Sequence, residues 1–191
     1  MKLNVYKKWL SLIVVLVVVL FCLNYYYHPF SNNNNQIQSV DYKAGIPVRI
    51  KIPKLNVDAK IDSVGTTSTG AMDTPKVPAN AGWFDLGARP GEKGSAVIAG
   101  HYGWKDGIPA VFDNLSKLNI GDVVYIEDDK GTSISFVVRK IKTYDKNGDA
   151  AEVFNSTDGK SHLNLITCAG TWDKNANTNS SRLVVFLDLN K

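Results

Sequence analysis

LNLITC (residues 163–168) and RLVVFLDL (residues 182–189) are two short runs of β-branched and other apolar residues, and a polar segment separates them. Runs of this length and composition are typical of β-strands. Cys168 ends the first run and Arg182 begins the second, so a hairpin-like return would bring the two side chains close together. A thiol beside a permanent cation is a combination that nucleophilic catalysis can use.

Similar runs recur upstream, and turn sequences such as TSTG, RPGEKG and DKNGD separate them. The predicted strands cover residues 48–52, 59–64, 95–99, 123–127 and 134–144. Residues 110–118 are a candidate short helix. Because many short strands occur with few helices and no internal repeat, the pattern predicts an all-β domain, either a small closed barrel or a sandwich.

The N-terminal segment has a different composition. Residues 9–23 are uncharged and almost entirely apolar, three lysines precede them and three tyrosines follow. This pattern favours a membrane-spanning helix with a cytoplasmic N-terminus. A cleaved signal peptide is the alternative, but no small-x-small cleavage site follows the apolar run. We therefore predict a cytoplasmic tip and anchor over residues 1–28, a flexible Asn-rich linker over 29–45 and an extracellular domain over 46–191.

Charge and cysteine content narrow the function classes. The chain has 22 basic and 18 acidic residues, and three of the basic residues but none of the acidic ones precede residue 40. The remainder is therefore nearly neutral, which gives nucleic-acid binding no support. Cys22 lies in the apolar span, where we expect it to face lipid. An exported domain whose one cysteine is Cys168 has no internal disulfide, so this thiol is either incidental or used.

Three histidines compete to be the proton-transfer partner of Cys168. His28 lies beside the membrane end of the chain. His162 is six residues from Cys168, which along one strand is a separation of about 20 Å, too far for direct proton transfer. His101 follows the predicted strand over residues 95–99, on a glycine-flanked loop of the kind that carries catalytic groups. We therefore select His101; its alternative role is a turn histidine packed against Trp104.

The candidate cations are Arg49, Arg89, Arg139 and Arg182, and the hairpin argument selects Arg182. A guanidinium fork suits a developing oxyanion better than an ammonium does. A lone arginine before an apolar strand is otherwise commonly a solvated edge residue.

These residues carry a family resemblance. The sequences IPVRIKIPKLNVDAKI, PGEKGSAVIAGHYGW, FDNLSKLNIGDVVYI, LITC and SRLVVF, read in order between residues 46 and 189, resemble those of a sortase, a membrane-anchored cysteine transpeptidase of Gram-positive bacteria. The family's cysteine motif usually reads Thr-Leu-x-Thr-Cys. Asn164 replaces the first threonine here, while Leu165, Thr167 and Cys168 match.

The resemblance implies an eight-stranded β-barrel with short helices, catalysis by His101, Cys168 and Arg182, and no cofactor or metal. It also implies cleavage of an LPxTG-type sorting signal between Thr and Gly and transfer of the acyl group to an amine of a peptidoglycan precursor such as lipid II. The thiol must be ionised while the imidazole is protonated. A free thiol ionises above neutral pH, so only a small fraction of molecules would hold that pair, and we expect slow turnover.

The motifs look closest to the class E and class F branches. No Asp-Pro-aromatic lid motif precedes the barrel and no C-terminal span follows it, so we expect no pilin-polymerising role. Three other functions are alternatives: an L,D-transpeptidase, whose Ser-His-Gly-Cys motif is absent, a cysteine protease that only hydrolyses, and a non-catalytic surface-binding domain. A weak calcium site at Asp145, Asp149 and Glu152 is an alternative to a simple turn.

Overall fold

The computed structural model describes residues 16–20, 44–103, 107–174 and 178–190. Residues 16–20 are helical. Most of the predicted anchor and linker, including Cys22 and His28, lies outside the described residues. Within the described ranges, no helix has the length and apolar character needed to cross a membrane.

The described part of residues 44–190 consists mainly of eight strands. They are β1 Pro47–Ile52, β2 Val57–Val64, β3 Ala81–Phe84, β4 Gly94–Gly100, β5 Val123–Asp128, β6 Ser133–Asp145, β7 Ser161–Asp173 and β8 Thr178–Leu189. The helical elements are short: 3-10 helices at Pro53–Leu55 and Leu115–Lys117, and one α-helix, α1, at Ala151–Phe154.

The strands close into a barrel in the order β1-β2-β3-β4-β7-β8-β6-β5. The pairs β2/β3 and β4/β7 are parallel, and the other neighbours are antiparallel. The predicted eight-stranded barrel is therefore confirmed, and the sandwich alternative is wrong. In the sequence, β5 and β6 come between β4 and β7. In the barrel, β7 nevertheless pairs directly with β4 on one side and with β8 on the other.

Alternation along β7 and β8 separates an inner face from an outer one. Leu163 and Leu165 are fully buried and belong to the large apolar cluster that fills the barrel. Ile166 and Val184 belong to a second apolar cluster, which also contains Val153 of α1. This second cluster lies on the outer face, because its members alternate with the inward residues.

Four local features differ from the sequence-based predictions. β3 and α1 were not predicted. The predicted helix over residues 110–118 is mostly turns, because the Asp113 carboxylate accepts hydrogen bonds from the backbone N–H groups of Gly103 (2.7 Å) and Ala110 (2.8 Å). β7 and β8 also continue past the ends of the apolar runs, so much of the expected polar loop is a paired ribbon.

Candidate active site

Cys168 lies on β7 directly opposite Arg182 on β8. The two residues are Cα partners in the antiparallel β7/β8 pair. Partners in such a pair project from the same face of the sheet, and their Cβ atoms are about 5 Å apart. The predicted hairpin-like return therefore juxtaposes the thiol-bearing and guanidinium-bearing residues, although β8 begins at Thr178 and not at Arg182.

His101 follows β4, the strand on the other side of β7. The parallel β4/β7 register pairs Ala99 with Ile166, so two residues further on His101 is level with Cys168. The hydroxyl of buried Thr167 donates to the Gly100 carbonyl at 2.7 Å, which holds the two strand ends together at this point.

The three candidate residues thus occupy one row, with His101 directly after β4, Cys168 on β7 and Arg182 on β8. Ile166 is on the outer face, and residues alternate along a strand, so Cys168 and its row neighbours also project outward. Adjacent strands are about 4.8 Å apart, so His101 and Arg182 flank Cys168 on either side. The half-buried thiol is neither shielded in the core nor fully exposed.

A backbone carbonyl orients His101. Its Nε2 lies 2.7 Å from the Pro75 carbonyl oxygen, in the loop between β2 and β3. A carbonyl can only accept, so Nε2 carries a proton in this contact. Pro75 was not among the residues selected from the sequence. A backbone acceptor gives no side-chain signal that would have identified it.

The Arg182 guanidinium is held by the start of its own strand. It donates to the carbonyls of Asn179 (3.1 Å) and Ser181 (2.9 Å) and to the Thr178 hydroxyl (3.0 Å). These bonds engage three of the five N–H groups of a guanidinium. The guanidinium is therefore fixed in orientation. Its other N–H groups can still donate to a developing negative charge.

A groove of about 520 Å³ extends from Arg182 along the outer face. Its floor is largely apolar and includes Ala99, Ile166 and Val184 from the three strands that form the row. Residues 70–74 of the β2–β3 loop line one part of it, and α1 lines another through Val153 and Phe154. The groove can therefore accommodate an extended, mainly apolar peptide, one end of which would lie beside Arg182.

Two side chains attach α1 to the barrel. The amide of buried Asn164 on β7 donates to the Val153 carbonyl at 2.6 Å. Glu152 accepts hydrogen bonds from Lys142 (2.6 Å), the Tyr144 hydroxyl and Lys140 (2.9 Å) on β6. These donors lower the pKa of Glu152 to about 2, the Lys142 bond contributing most. Burial, followed by the bond to Glu152, raises the pKa of Tyr144.

This arrangement does not support a calcium site at Asp145, Asp149 and Glu152. Glu152 is engaged by lysines, and Asp145 accepts the backbone N–H of Asn147 (2.9 Å) in a turn. In the part of the chain that the structure describes, no cluster of three or more His, Cys, Asp or Glu side chains could hold a metal ion.

A second, smaller pocket of about 190 Å³ reaches Cys168, which does not line the large groove. It is bordered by Tyr102, by the segment that precedes β5 and by the far end of β7. Its lining residues are Tyr102, Phe112, Ser116, Thr167, Cys168, Ala169, Gly170 and Leu183. None of these is a residue of the large groove. Two separate cavities therefore adjoin the row of candidate residues.

His162 lies away from this row, at the start of β7, as predicted. It is not a surface residue, since only 5% of it is exposed. Its Nδ1 bonds Asp188 (2.7 Å) and its Nε2 bonds Asp158 (3.0 Å). The bond from His162 contributes most to holding the pKa of Asp158 well below its usual range. This cluster fastens the loop before β7 to the end of β8.

Comparisons with known proteins point to one family. The family model described as the sortase domain matches residues 50–190. No protein in the curated set matches the chain.

Solved sortase structures are similar to the chain. Sortase C-1 from Actinomyces oris shares 26% identity at a TM-score of 0.60, over 76% of this chain and 75% of that one. Streptococcus agalactiae sortase C1, in its complex with MTSET, shares 27% identity at a TM-score of 0.59, over 75% and 67%. A lid mutant of Corynebacterium diphtheriae sortase A has the same fold, with 24% identity, a TM-score of 0.60 and coverage of 76% and 70%.

These structures carry the class names C and A, so the assignment to class E or F stays a prediction. The family model covers well over half of the chain. The chain therefore belongs to the sortase family of cysteine transpeptidases.

Proposed function

We propose that this sortase is anchored in the cell membrane by its N-terminal helix and acts outside the cell on proteins that carry an LPxTG-like sorting signal. It cleaves the signal between Thr and Gly and transfers the acyl group to an amine of a cell-wall precursor such as lipid II. The observation that carries the proposal is the single row formed by His101 directly after β4, Cys168 on β7 and Arg182 on β8.

The first half-reaction forms a thioester. The Cys168 thiolate attacks the threonine carbonyl, a C–S bond forms, and the carbonyl oxygen becomes an oxyanion that Arg182 stabilises. The intermediate then collapses and the C–N bond breaks. His101, as imidazolium, gives its proton to the departing glycine amine.

The second half-reaction releases the product. The neutral acceptor amine attacks the thioester carbonyl, and His101 takes a proton from its nitrogen. The C–S bond then breaks, the thiolate is restored and a new amide bond remains. Water would follow the same course to give a carboxylic acid, so hydrolysis is the competing outcome.

The large groove supports the substrate assignment. Its apolar floor suits the Leu-Pro part of an LPxTG-type signal, and the groove ends at Arg182, beside Cys168. A bound signal would therefore run along the outer face with its Thr-Gly bond at the thiol.

The sequence supports the location. The uncharged apolar run over residues 9–23 has the length of a membrane span, and the lysines before it favour a cytoplasmic N-terminus. The catalytic row, which lies C-terminal to this run, would then face the cell wall.

The test uses the full chain in detergent with an LPxTG-type peptide and triglycine as acceptor, and mass spectrometry of the products. A Thr-to-amine transfer product that Cys168→Ala abolishes is expected. If a library of related signals gives neither transfer nor cleavage, the proposal fails. Cleavage without transfer would favour the protease alternative.

A further inference from the structure

We infer that His162 is a pH-sensitive attachment point for one wall of the large groove. As an imidazolium it ties the loop over residues 155–160, which follows α1, to the barrel; when it loses its proton to solvent, the loop is released and donor binding weakens. The inference rests on the proposed function, because the ligand whose binding it regulates is the donor signal.

Both ring nitrogens of His162 face carboxylates. Nδ1 lies 2.7 Å from an oxygen of Asp188, and Nε2 lies 3.0 and 3.1 Å from the two oxygens of Asp158. An ionised carboxylate only accepts hydrogen bonds, and a neutral imidazole has one N–H to donate, whereas an imidazolium has two. Both contacts are therefore hydrogen bonds only when His162 is protonated. Histidine changes charge between about pH 5 and 8, so the arrangement can switch near neutral pH.

The contact with Asp158 is the one that can open. Asp188 is the Cα partner of His162 in the β7/β8 pair and also bonds Arg139 at 2.8 Å, so strand pairing keeps it in place. Asp158 lies in the loop, and its side chain is 46% exposed. After deprotonation one ring nitrogen presents a lone pair to a carboxylate, and the loop carboxylate can turn to water instead.

The charged groups around His162 do not replace its proton. They line a polar cavity of about 420 Å³ and come from α1, the loop and two strands: Glu152, Asp158, Lys160, Arg139 and Asp188. Glu152 is bonded to Lys140 and Lys142 on β6. Lys160 donates its backbone N–H to Asp158 at 3.0 Å, a bond within the loop. β4 contributes uncharged Ser95, the Cα partner of His162. The proton on Nε2 is therefore the one that joins the loop carboxylate to β7.

The loop connects directly to the large groove. It begins where α1 ends, at Phe154, and leads into β7. Among the described residues, the bond between Asp158 and His162 is the only side-chain hydrogen bond that joins residues 155–159 to a strand. Val153 and Phe154 line the groove, so release of the loop loosens the C-terminal end of that wall. Donor affinity should therefore fall as the pH rises.

The experiment measures donor binding in a background without chemistry. Full-length Cys168→Ala protein in detergent is titrated with a fluorescent LPxTG-type peptide at several pH values between about 6 and about 8.5, and fluorescence anisotropy gives Kd. We expect Kd to rise about fivefold over this range, the effect of losing one partly exposed ion pair. His101 is present in every protein compared, so a difference between them does not come from its titration.

Asp158→Asn, made in the same background, is the decisive variant. An amide can donate to a neutral imidazole or accept from an imidazolium, so the contact survives deprotonation and the pH dependence of Kd should disappear. Asp58→Asn is the matched control, since Asp58 is 49% exposed, pairs with Arg49 and lines neither cavity. It should keep the pH dependence of the parent protein.

The protonation state is measured separately by ¹⁵N NMR of the histidine side chains. The chain has three histidines, so His28→Gln and His101→Gln assign the His162 signal by elimination. Two protonated ring nitrogens at pH 6 and one at pH 8.5 are expected. A neutral His162 at pH 6, or an equal rise of Kd in the parent and in Asp158→Asn, would overturn the inference. If the peptide binds at no pH, the proposed function fails and the link to donor binding fails with it, while the NMR titration still shows whether His162 switches.

Discussion

Cys168, His101 and Arg182 owe their arrangement to strand register. His101 directly follows β4, Cys168 lies on β7 and Arg182 lies on β8, and the pairing of these neighbouring strands places the three residues in one row. In the proposed mechanism they act on one carbonyl group as proton carrier, sulfur nucleophile and fixed cation. The Pro75 carbonyl and the start of β8 then fix the orientation of two of them. Each role can be tested by a substitution that keeps the charge or shape of the side chain.

Arg182→Lys tests whether a guanidinium is needed and not only a positive charge. We expect kcat/KM for thioester formation to fall about 100-fold, because an ammonium cannot reproduce the bonds to Thr178, Asn179 and Ser181 that aim the fork. Single-turnover acylation measures the effect. Arg139→Lys is the control, since Arg139 pairs with Asp188 on the surface. An Arg182→Lys rate within twofold of wild type would contradict the assigned role.

At the scale of elements, α1 and the β2–β3 loop line the large groove and so determine its shape. α1 has four residues, too few to be stable alone, so it depends on its attachments. Asn164 provides one of them and occupies the position where the family motif usually has threonine. Its Oδ1 is buried and has no hydrogen-bond partner among the described residues, so only the amide half of the side chain is satisfied.

Asn164→Leu should loosen α1 while leaving the catalytic row intact. We expect KM for the donor peptide to rise several-fold with kcat nearly unchanged, and stability to fall by about 1 kcal/mol for the lost hydrogen bond. Steady-state kinetics and urea unfolding measure these effects. Asn155→Leu, at the exposed end of α1, serves as the control. A fall in kcat at constant KM would argue against a positioning role.

The Glu152 attachment predicts a pH dependence of stability. The pKa of Glu152 is lowered from its ordinary value to about 2 in the fold, so its bonds to β6 stabilise the protein above about pH 5 and are lost as the pH falls toward 2. Wild type should therefore be more stable than Glu152→Gln at pH 6, and the difference should shrink by pH 3. Thermal unfolding of both proteins at several pH values measures this, and a constant difference would contradict it.

Sequence reasoning predicted seven of the eight strands because their apolar alternation is local. It missed β3, since AGWF is four residues long and is held by a parallel pairing with β2 that local composition does not encode. It ended β7 too early and began β8 too late. The segments TWD (171–173) and TNS (178–180) have loop-like composition and form strands only because they pair with each other. His101 was selected by its loop and its motif, whereas Pro75 acts through a carbonyl that every residue has.

For the whole molecule, the N-terminal apolar run and the lysines before it predict that Cys168 lies outside the cell. A membrane-impermeant maleimide added to intact cells should label Cys168, and Cys168→Ala should remove the label. Labelling of the wild type only after lysis would contradict the proposed topology. Cys22→Ser, which changes the other cysteine, should leave the label unchanged.

The central claim, that Cys168 carries the acyl group between two peptides, is tested most directly by the mass of the enzyme during turnover. The full chain is mixed with an LPxTG-type peptide, quenched in acid and measured intact, and the adduct is mapped by tandem mass spectrometry. The account predicts an added mass equal to the fragment ending at threonine, attached to Cys168 and removed by hydroxylamine. An adduct on another residue, or one that persists in Cys168→Ala, would contradict it.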